Sequence, residues 1–492
     1  MNALSTLRAT VLPISNLLAG VIAVFGLAML VPAVLAVVYG DSGQAAFRDT
    51  ALAVLVPSVL CWALTRRYRR ELKVRDGILL VTLSWALLAA LGALPLMMGI
   101  PGLSFTDAYF ESVSGLTTTG STILSNLDQL PASLNFWRHF LHWIGGMGII
   151  LLAVAILPLL GVGGMQLYRA ETPGPMKDSK LTPRIAHTAK ALWYVYAGIT
   201  VASVIALKLA GMDWFDAVCH AFSVMALGGF STHDASIGYF NSPRIELVLM
   251  AFEVIAAMNF ATHFVALRER SFAVYGRDTE AKAIIRVLLV SVFGIALFLT
   301  IKGTYPSFLM ALRHSAFSVV TIATTSGFVT EDFGQWPIFA PLWMLFLSCI
   351  VPSSGSTGGG IKMIRALVLT KQSGRELTGI LHPSLMRPVK VAQQVIDNKV
   401  ILAVLGFVFL YFMSVVGLTL ILIASGLDLT SALTAIIASI NNTGPGLGVV
   451  GPASNYAGLN DFQTWTCSVA MLLGRLEVFT LILLFTPAFW RK

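Results

Sequence analysis

At residues 324–328 the chain reads Thr324-Thr325-Ser326-Gly327-Phe328, hydroxyls and then a glycine directly after the apolar run Phe317 to Ala323. That run is too short to cross a bilayer, which takes roughly 20 helical residues. A short apolar helix that stops at small hydroxyl residues has the pattern of a re-entrant pore loop. Gly327 admits backbone angles closed to residues with a Cβ, so successive carbonyls can point inward and stand in for the water around a monovalent cation. Similar stretches recur at Thr117-Thr118-Thr119-Gly120-Ser121, Ala226-Leu227-Gly228-Gly229-Phe230 and Asn441-Asn442-Thr443-Gly444-Pro445. The glycines Gly120, Gly229, Gly327 and Gly444 lie 109, 98 and 117 positions apart by subtraction. A repeat of about a hundred residues carrying one loop each predicts a fourfold architecture inside one chain.

Two further stretches can act on such a path. Pro352-Ser353-Ser354-Gly355-Ser356-Thr357-Gly358-Gly359-Gly360-Ile361-Lys362 interrupts an apolar helix pattern. Irregular backbone at membrane depth is tolerated only against protein or a water-filled cavity, so the stretch is expected to cross the pore below the loops. The alternative is a helix ending at Val351 and a cytoplasmic turn. Arg475, with Glu477 nearby, stands in the apolar run Val469 to Phe485. A charge there normally faces a partner or an aqueous cavity, and on the conduction path it would repel cations. Residues two apart occupy different helix faces, so Arg475 is expected to find a partner other than Glu477.

The elements that must position these residues follow one grammar, helix, pore segment, loop, helix. First helices are expected near 76–99, 189–210, 281–302 and 397–425, and second helices near 136–163, 244–266, 337–370 and 462–490. An opening hairpin spans about 12–39 and 50–65. Thirteen residues before each glycine stand Asp107, Asp216, His314 and Ser431. Three of these can cap a pore helix, whose C-terminal end then turns its partial negative charge toward the cavity and favours a cation. The expected units are 1–75 for the hairpin and basic link, then 76–170, 171–272, 273–378 and 379–492, the third holding the intramembrane loop.

Composition agrees with a membrane setting. The chain has 492 residues, 56% hydrophobic and 12% charged, with a net charge of +9. Basic residues cluster between apolar segments: Arg66, Arg67, Arg69, Arg70, Lys73 and Arg75, then Arg169, Lys177, Lys180, Arg184 and Lys190, with similar groups at 268–286 and 365–399. By the positive-inside rule these links are cytoplasmic, which makes nucleic acid an improbable partner. The pore-loop sides hold Arg138, Arg244 and Arg313 among the acids Asp107, Glu111, Asp128, Asp213, Asp216, Asp234, Glu331, Asp332, Asp428 and Asp461. Solvation of loops is the expected role for most of these acids. Together they give an acidic mouth that concentrates cations. Cys61, Cys219, Cys349 and Cys467 stand singly, without metal or disulfide spacing. Gly446-Leu447-Gly448-Val449-Val450-Gly451 matches a dinucleotide fingerprint but lacks the βαβ context. No hydrolytic triad or Walker motif suggests an enzyme.

The four loops, Trp143-Ile144-Gly145-Gly146-Met147-Gly148, the glycine-rich run 355–362, Asn441 to Gly446 and Gly474-Arg475-Leu476-Glu477 together resemble the Trk/Ktr/HKT superfamily of potassium transporters over essentially the whole chain. The extra hairpin makes it similar to the Trk-type bacterial membrane subunit. The resemblance implies an all-α integral membrane protein with four helix–pore loop–helix units around a central pore and an N-terminal two-helix hairpin. It implies potassium as the transported ion, no organic cofactor on this chain, the bacterial inner membrane with its lipid, a homodimer and a cytosolic nucleotide-binding regulatory ring. The candidate filter is then Thr118, Thr119 and Gly120, with Leu227, Gly228 and Gly229, Thr325, Ser326 and Gly327, and Asn442, Thr443 and Gly444. The candidate gate is Gly355, Ser356, Thr357, Gly358, Gly359, Gly360, Lys362 and Arg475. Ala226 and Leu227 depart from the threonine usual in members, which leaves fewer hydroxyls on one side. A secondary transporter with a solute site at broken helices and a scaffold with packing glycines are the competing readings.

Overall fold

A computed structural model describes residues 11–68, 70, 73–155, 181–384, 388–391 and 394–491. Arg69, Arg169, Lys177, Lys180 and Arg387, counted above among the cytoplasmic basic residues, lie outside this range, as do residues 156–163 of the expected second helix of unit 1.

The chain opens with α1 (Leu12–Ala28) and α2 (Leu30–Tyr39), which form one apolar span, and returns through α3 (Gly43–Thr65). Gly40 makes the left-handed turn between them, at φ 65°. Asp41 accepts from the Ser133 backbone at 2.8 Å and so ties the hairpin to the first unit.

Unit 1 comprises α4 (Val74–Gly99), the pore helix α5 (Phe105–Leu116) and α6 (Ala132–Ala155). Unit 2 comprises α7 (Leu181–Ala210), the pore helix α8 (Trp214–Ala226) and a second span broken into α9 (Pro243–Ala257) and α10 (Phe260–Glu269), bent by 97°. Unit 3 comprises α11 (Thr279–Ile301), the pore helix α12 (Phe308–Ala323), α13 (Phe339–Ile350) and, beyond an irregular stretch, α14 (Met363–Leu381). Unit 4 comprises α15 (Asn398–Ala424), the pore helix α16 (Leu429–Ile440) and α17 (Asp461–Arg475) with α18 (Val478–Leu484), bent by 114°. Among the described residues, six helices are long and apolar enough to cross a membrane, or up to eight if each bent pair is one span. Among the described residues, the β-structure is a two-residue strand pair, Lys390–Val391 with Gln394–Val395, between α14 and α15.

The molecule carries large apolar side chains on its outer surface as well as in its core. Leu209, Ile301 and Phe409 are 82%, 74% and 63% exposed, whereas Glu111, Glu253 and Glu280 are fully buried. Hydrocarbon accounts for the first set, because apolar side chains facing lipid tails lose nothing by exposure. Each of the second set needs an internal reason.

Two expectations are corrected here. The pore helices begin one turn earlier than Asp107, Asp216 and Ser431: the caps are Ser104, Asp213 and Asp428, and Ser307 in the third unit. Asp107, Asp216 and Ser431 supply the backbone N–H that the cap accepts, at 3.1, 2.7 and 3.0 Å. The earlier residue wins because a cap must precede the first helical turn, and each true cap has extended backbone. The second spans near 244–266 and 462–490 are not continuous either. Asn259 caps a new helix by accepting from Ala261, and Glu477 takes φ 56°, where the α-helix cannot continue.

Candidate functional site

Each pore helix ends in the same backbone closure. The residue before each glycine donates its N–H back five residues: Thr119 to Ser114 at 2.8 Å, Gly228 to Ser223 at 2.9 Å, Ser326 to Thr321 at 2.8 Å and Thr443 to Ala438 at 2.8 Å. One position earlier, Thr118, Leu227, Thr325 and Asn442 are all left-handed, at φ 53°, 54°, 66° and 54°. This is the Schellman ending of a helix, usually made by glycine and here made by residues with side chains. The turn is held by backbone groups alone, so Leu227 fulfils it as well as a threonine does.

The four glycines follow at φ 83°, 75°, 81° and 99°. A Cβ on Gly120 would collide with the carbonyl oxygen of Gly228, one on Gly229 with that of Ser326, and one on Gly327 with that of Thr443. The cycle closes at Gly444, where a Cβ would stand 3.0 Å from the Thr119 oxygen. Four backbone stretches therefore lie edge to edge in the ring order of the units, each glycine against the carbonyl of the next. Such a ring brings together the residues that the sequence named, Thr118 to Gly120, Leu227 to Gly229, Thr325 to Gly327 and Asn442 to Gly444. One carbonyl is diverted: that of Gly444 accepts from Ser121 at 3.0 Å and Tyr456 at 2.9 Å.

Below the ring lies residues 351–362, buried over most of its length. The alternative of a cytoplasmic turn is excluded by its contacts. Thr357 donates to the Met225 carbonyl at 3.1 Å, and Gly359 donates to the Thr325 hydroxyl at 3.1 Å. A Cβ on Gly359 would strike the Asn441 carbonyl. The loop thus touches the inner ends of three pore helices. Its ends are pinned to each other, Ile361 N–H to the Cys349 carbonyl at 2.6 Å and Met363 N–H to the Pro352 carbonyl at 2.8 Å. Its first residues are pinned to the break in unit 2, where Ser353 donates to the Ala257 carbonyl at 2.9 Å and Gly355 accepts from Phe260 at 3.2 Å. Glu280 receives the Ser353 hydroxyl at 2.6 Å and the Ser354 N–H at 3.1 Å. Lys362 turns back to the Gly358 carbonyl.

Arg475, at the end of α17, donates to the Thr357 carbonyl at 2.8 Å, and its Nε and Nη2 find no hydrogen-bond partner among the described residues. Glu477 is taken by Arg365 at 2.8 Å, so the expectation that Arg475 looks elsewhere agrees with the geometry. The Arg365 guanidinium also lies 4.0 Å from the Phe407 ring centre.

Sequence reading missed the strongest polar contacts on the outer side. Glu111 and Arg138, grouped above with loop charges, form a buried pair at 2.7 Å. Arg138 also donates to the Ser231 carbonyl at 3.2 Å, and Glu111 accepts the Ile123 N–H at 3.0 Å, so the pair fixes the exits of the first two ring strands. Arg313 grips Glu246 through two contacts of 2.9 and 2.6 Å, joining units 2 and 3. A signal existed in hindsight: Glu111 falls inside a pore helix whose neighbours are apolar, and an unpaired charge is not tolerated there.

His233 bridges the first two outer loops, with Asp128 on Nδ1 and Asp216 on Nε2, the latter at 3.2 Å, and Tyr239 stacked 3.5 Å from its ring. Burial alone would lower the His233 pKa, but the two carboxylates overcome it and hold the imidazole above its ordinary value. Burial works against ionisation of Asp128 as well, and the His233 contact reverses that and lowers its pKa.

Comparison with known proteins gives one consistent picture. Residues 42–492 match the family model of TrkH, described as a cation transport protein. The Trk system potassium uptake protein TrkH of Vibrio parahaemolyticus is 48% identical over 474 residues, 96% of this chain and 97% of that protein. That of Escherichia coli K12 is 46% identical over 480 residues, 97% and 99% of the two chains. The crystal structure of the potassium transporter TrkH from Vibrio parahaemolyticus superposes with a TM-score of 0.91 at 44% identity, covering 98% of this chain and 99% of that one.

Proposed function

Because the chain belongs to the TrkH family of cation transport proteins, we propose that it is the membrane subunit of a potassium uptake system, with the four-strand ring as its filter. It is an all-α protein of the bacterial inner membrane and a transport protein, not an enzyme. Carbonyls of the ring replace the ion's hydration shell, and the loop 351–362 with Arg475 closes the path below. The ring itself carries this reading, because four glycines each set against the next strand's carbonyl make one axial site. A solute pocket at broken helices is less well supported: the break at Met258 holds the Gly-rich loop, and the break at Leu476 presents Arg475 to it.

The same reading takes the chain as one half of a homodimer, opened by a cytosolic nucleotide-binding partner acting on the gate through α14. The pair Arg365–Glu477 links the start of α14 to the turn that carries Arg475, which gives a partner pulling on α14 a mechanical route to the loop. Rubidium uptake into cells lacking their own potassium uptake systems, with the chain and its regulator present, is expected to exceed the vector control. Uptake equal to that control overturns the proposal.

A further inference from the structure

The four seams of the ring are not alike. A Cβ on Gly120, Gly229 or Gly327 would collide with the next strand's carbonyl oxygen, whereas one on Gly444 would stand clear of the Thr119 oxygen, at 3.0 Å. Gly444 also has the largest φ of the four, 99°. Backbone contact is therefore slackest where the fourth strand meets the first, the seam that closes the ring. Side chains make up the difference there. Ser121 donates to the Gly444 carbonyl at 3.0 Å, and Asn442 Nδ2 donates to the Thr119 hydroxyl at 2.9 Å. Elsewhere in the ring the hydroxyls of Thr118, Ser326 and Thr443 have no hydrogen-bond partner among the described residues, that of Thr325 goes to the loop at Gly359, and Leu227 has none to offer.

The direction of the Asn442 bond is fixed by its neighbours. Asn442 Nδ2 also faces the Met471 and Ser439 carbonyls, at 3.1 and 3.4 Å. Carbonyls only accept, so the amide nitrogen, not the oxygen, lies on that side. Thr117 gives its proton to the Val113 carbonyl at 2.7 Å, so in its 2.7 Å contact with Thr119 it accepts and Thr119 donates. That leaves Thr119 Oγ1 to accept from Asn442. An oriented chain thus runs from Asn442 through Thr119 and Thr117 to Val113, from the fourth strand through the first and into the first pore helix. Every member is buried and neutral, so the chain needs no counter-charge. Asn442 holds the left-handed place in its turn that Leu227 holds in the second strand, at the same φ of 54°. The backbone there does not require an asparagine. The amide oxygen has no partner among the described residues, so the side chain is held wholly through its nitrogen.

We propose that the Asn442 side chain is a specificity-determining brace of the ion pathway: through the Thr119 hydroxyl it holds the fourth strand against the first, and so sets the spacing of the Thr119 and Thr443 carbonyls around a dehydrated monovalent cation. This inference rests on the filter reading above. The amide acts on the neighbouring strand and touches no ion, so Asn442 is a positioning residue. Without the bond the slack seam yields and the ring adapts to whichever ion enters, so discrimination falls while passage continues.

The test is rubidium uptake with sodium as competitor, comparing wild type, N442L, T119V, T119S and the double variant N442L/T119V at matched membrane levels. N442L places at 442 the residue that the second strand already carries in this turn, and removes the unpartnered oxygen along with the donors. T119V removes the hydroxyl and keeps the branched shape. Each is expected to lower the preference for rubidium over sodium about fivefold, the worth of one neutral hydrogen bond, with maximal rubidium rate within about twofold of wild type. The double variant is expected to lose no more than either single one, because all three lack the same bond. T119S keeps the hydroxyl and with it the wild-type preference. If N442L fails to assemble, T119V against T119S decides: a loss in the valine variant alone supports the proposal, and equal preference in the two overturns it. Wild-type preference in T119V, or losses that add up in the double variant, overturn the proposal and leave the filter reading standing. Wild-type protein without uptake overturns the filter reading and this inference with it.

Discussion

Single residues in the ring are fixed by backbone conformation more than by side-chain chemistry. Gly327 combines φ 81° with a Cβ direction that points into the Thr443 carbonyl. Left-handed backbone costs a residue with a Cβ about 1–2 kcal/mol, and the collision adds to it locally. The strain falls within one strand of the ring, and on the proposed filter reading it shifts carbonyls whose spacing discriminates between ions. Gly327→Ala is therefore expected to reach the membrane in normal amounts and to lose preference for rubidium over sodium. Uptake competition in whole cells measures this, and unaltered preference at normal expression would separate Gly327 from selectivity. Leu227 makes the complementary point. It looked like a defect because it lacks a hydroxyl, yet it shares its backbone angle with Thr118, Thr325 and Asn442.

At the scale of elements, the interrupted helices are the parts that hold the loop 351–362, the proposed gate. α9 and α10 break to receive the start of the loop, α13 and α14 are the loop's own ends, and α17 and α18 break to deliver Arg475. Among the described residues, Arg475 has two of its nitrogens unpartnered and is held by one hydrogen bond, that to the Thr357 carbonyl. Arg475→Ala removes both that clamp and a positive charge beneath the ring. Rubidium flux into proteoliposomes is expected to rise several-fold, on the order of the tenfold that one charge-assisted hydrogen bond represents. Flux indistinguishable from wild type in protein that purifies normally would take Arg475 off the pathway.

For the whole molecule, the question is what keeps the four units closed around one axis. Ion pairs between units do part of it, Arg313 with Glu246 and His233, held by Asp216 within its own unit, with Asp128. The histidine makes one of these joints dependent on pH. Its folded pKa is raised above 6.5, so its contribution is complete below 6.5 and is lost as pH rises through the folded value. Asp128 is lowered from 3.8, so its contribution is present above 3.8 and lost as pH falls through the folded value. The joint is whole in between. Thermal unfolding in detergent is expected to move to lower temperature between about pH 6 and pH 9 in wild type, and to move less in His233→Gln. Equal shifts in the two proteins would show that the imidazole bears no share of the contact.

Much of this protein is legible in the order of its residues. The six long apolar helices, the four short ones ending at glycine and the irregular run at 352–362 are local patterns, and hydrophobic length, helix-stopping hydroxyls and glycine are sufficient to write them. The capping residues were misplaced by one turn because Ser104 and Asp107, or Asp213 and Asp216, are equally good caps until helix geometry chooses the earlier one. What the order of residues could not decide was pairing across units. That Arg313 meets Glu246 and that Arg365 takes Glu477 both depend on helices from distant parts of the chain lying side by side. Charges buried in hydrocarbon must find partners, and only the packing of the four units determines which ones they find.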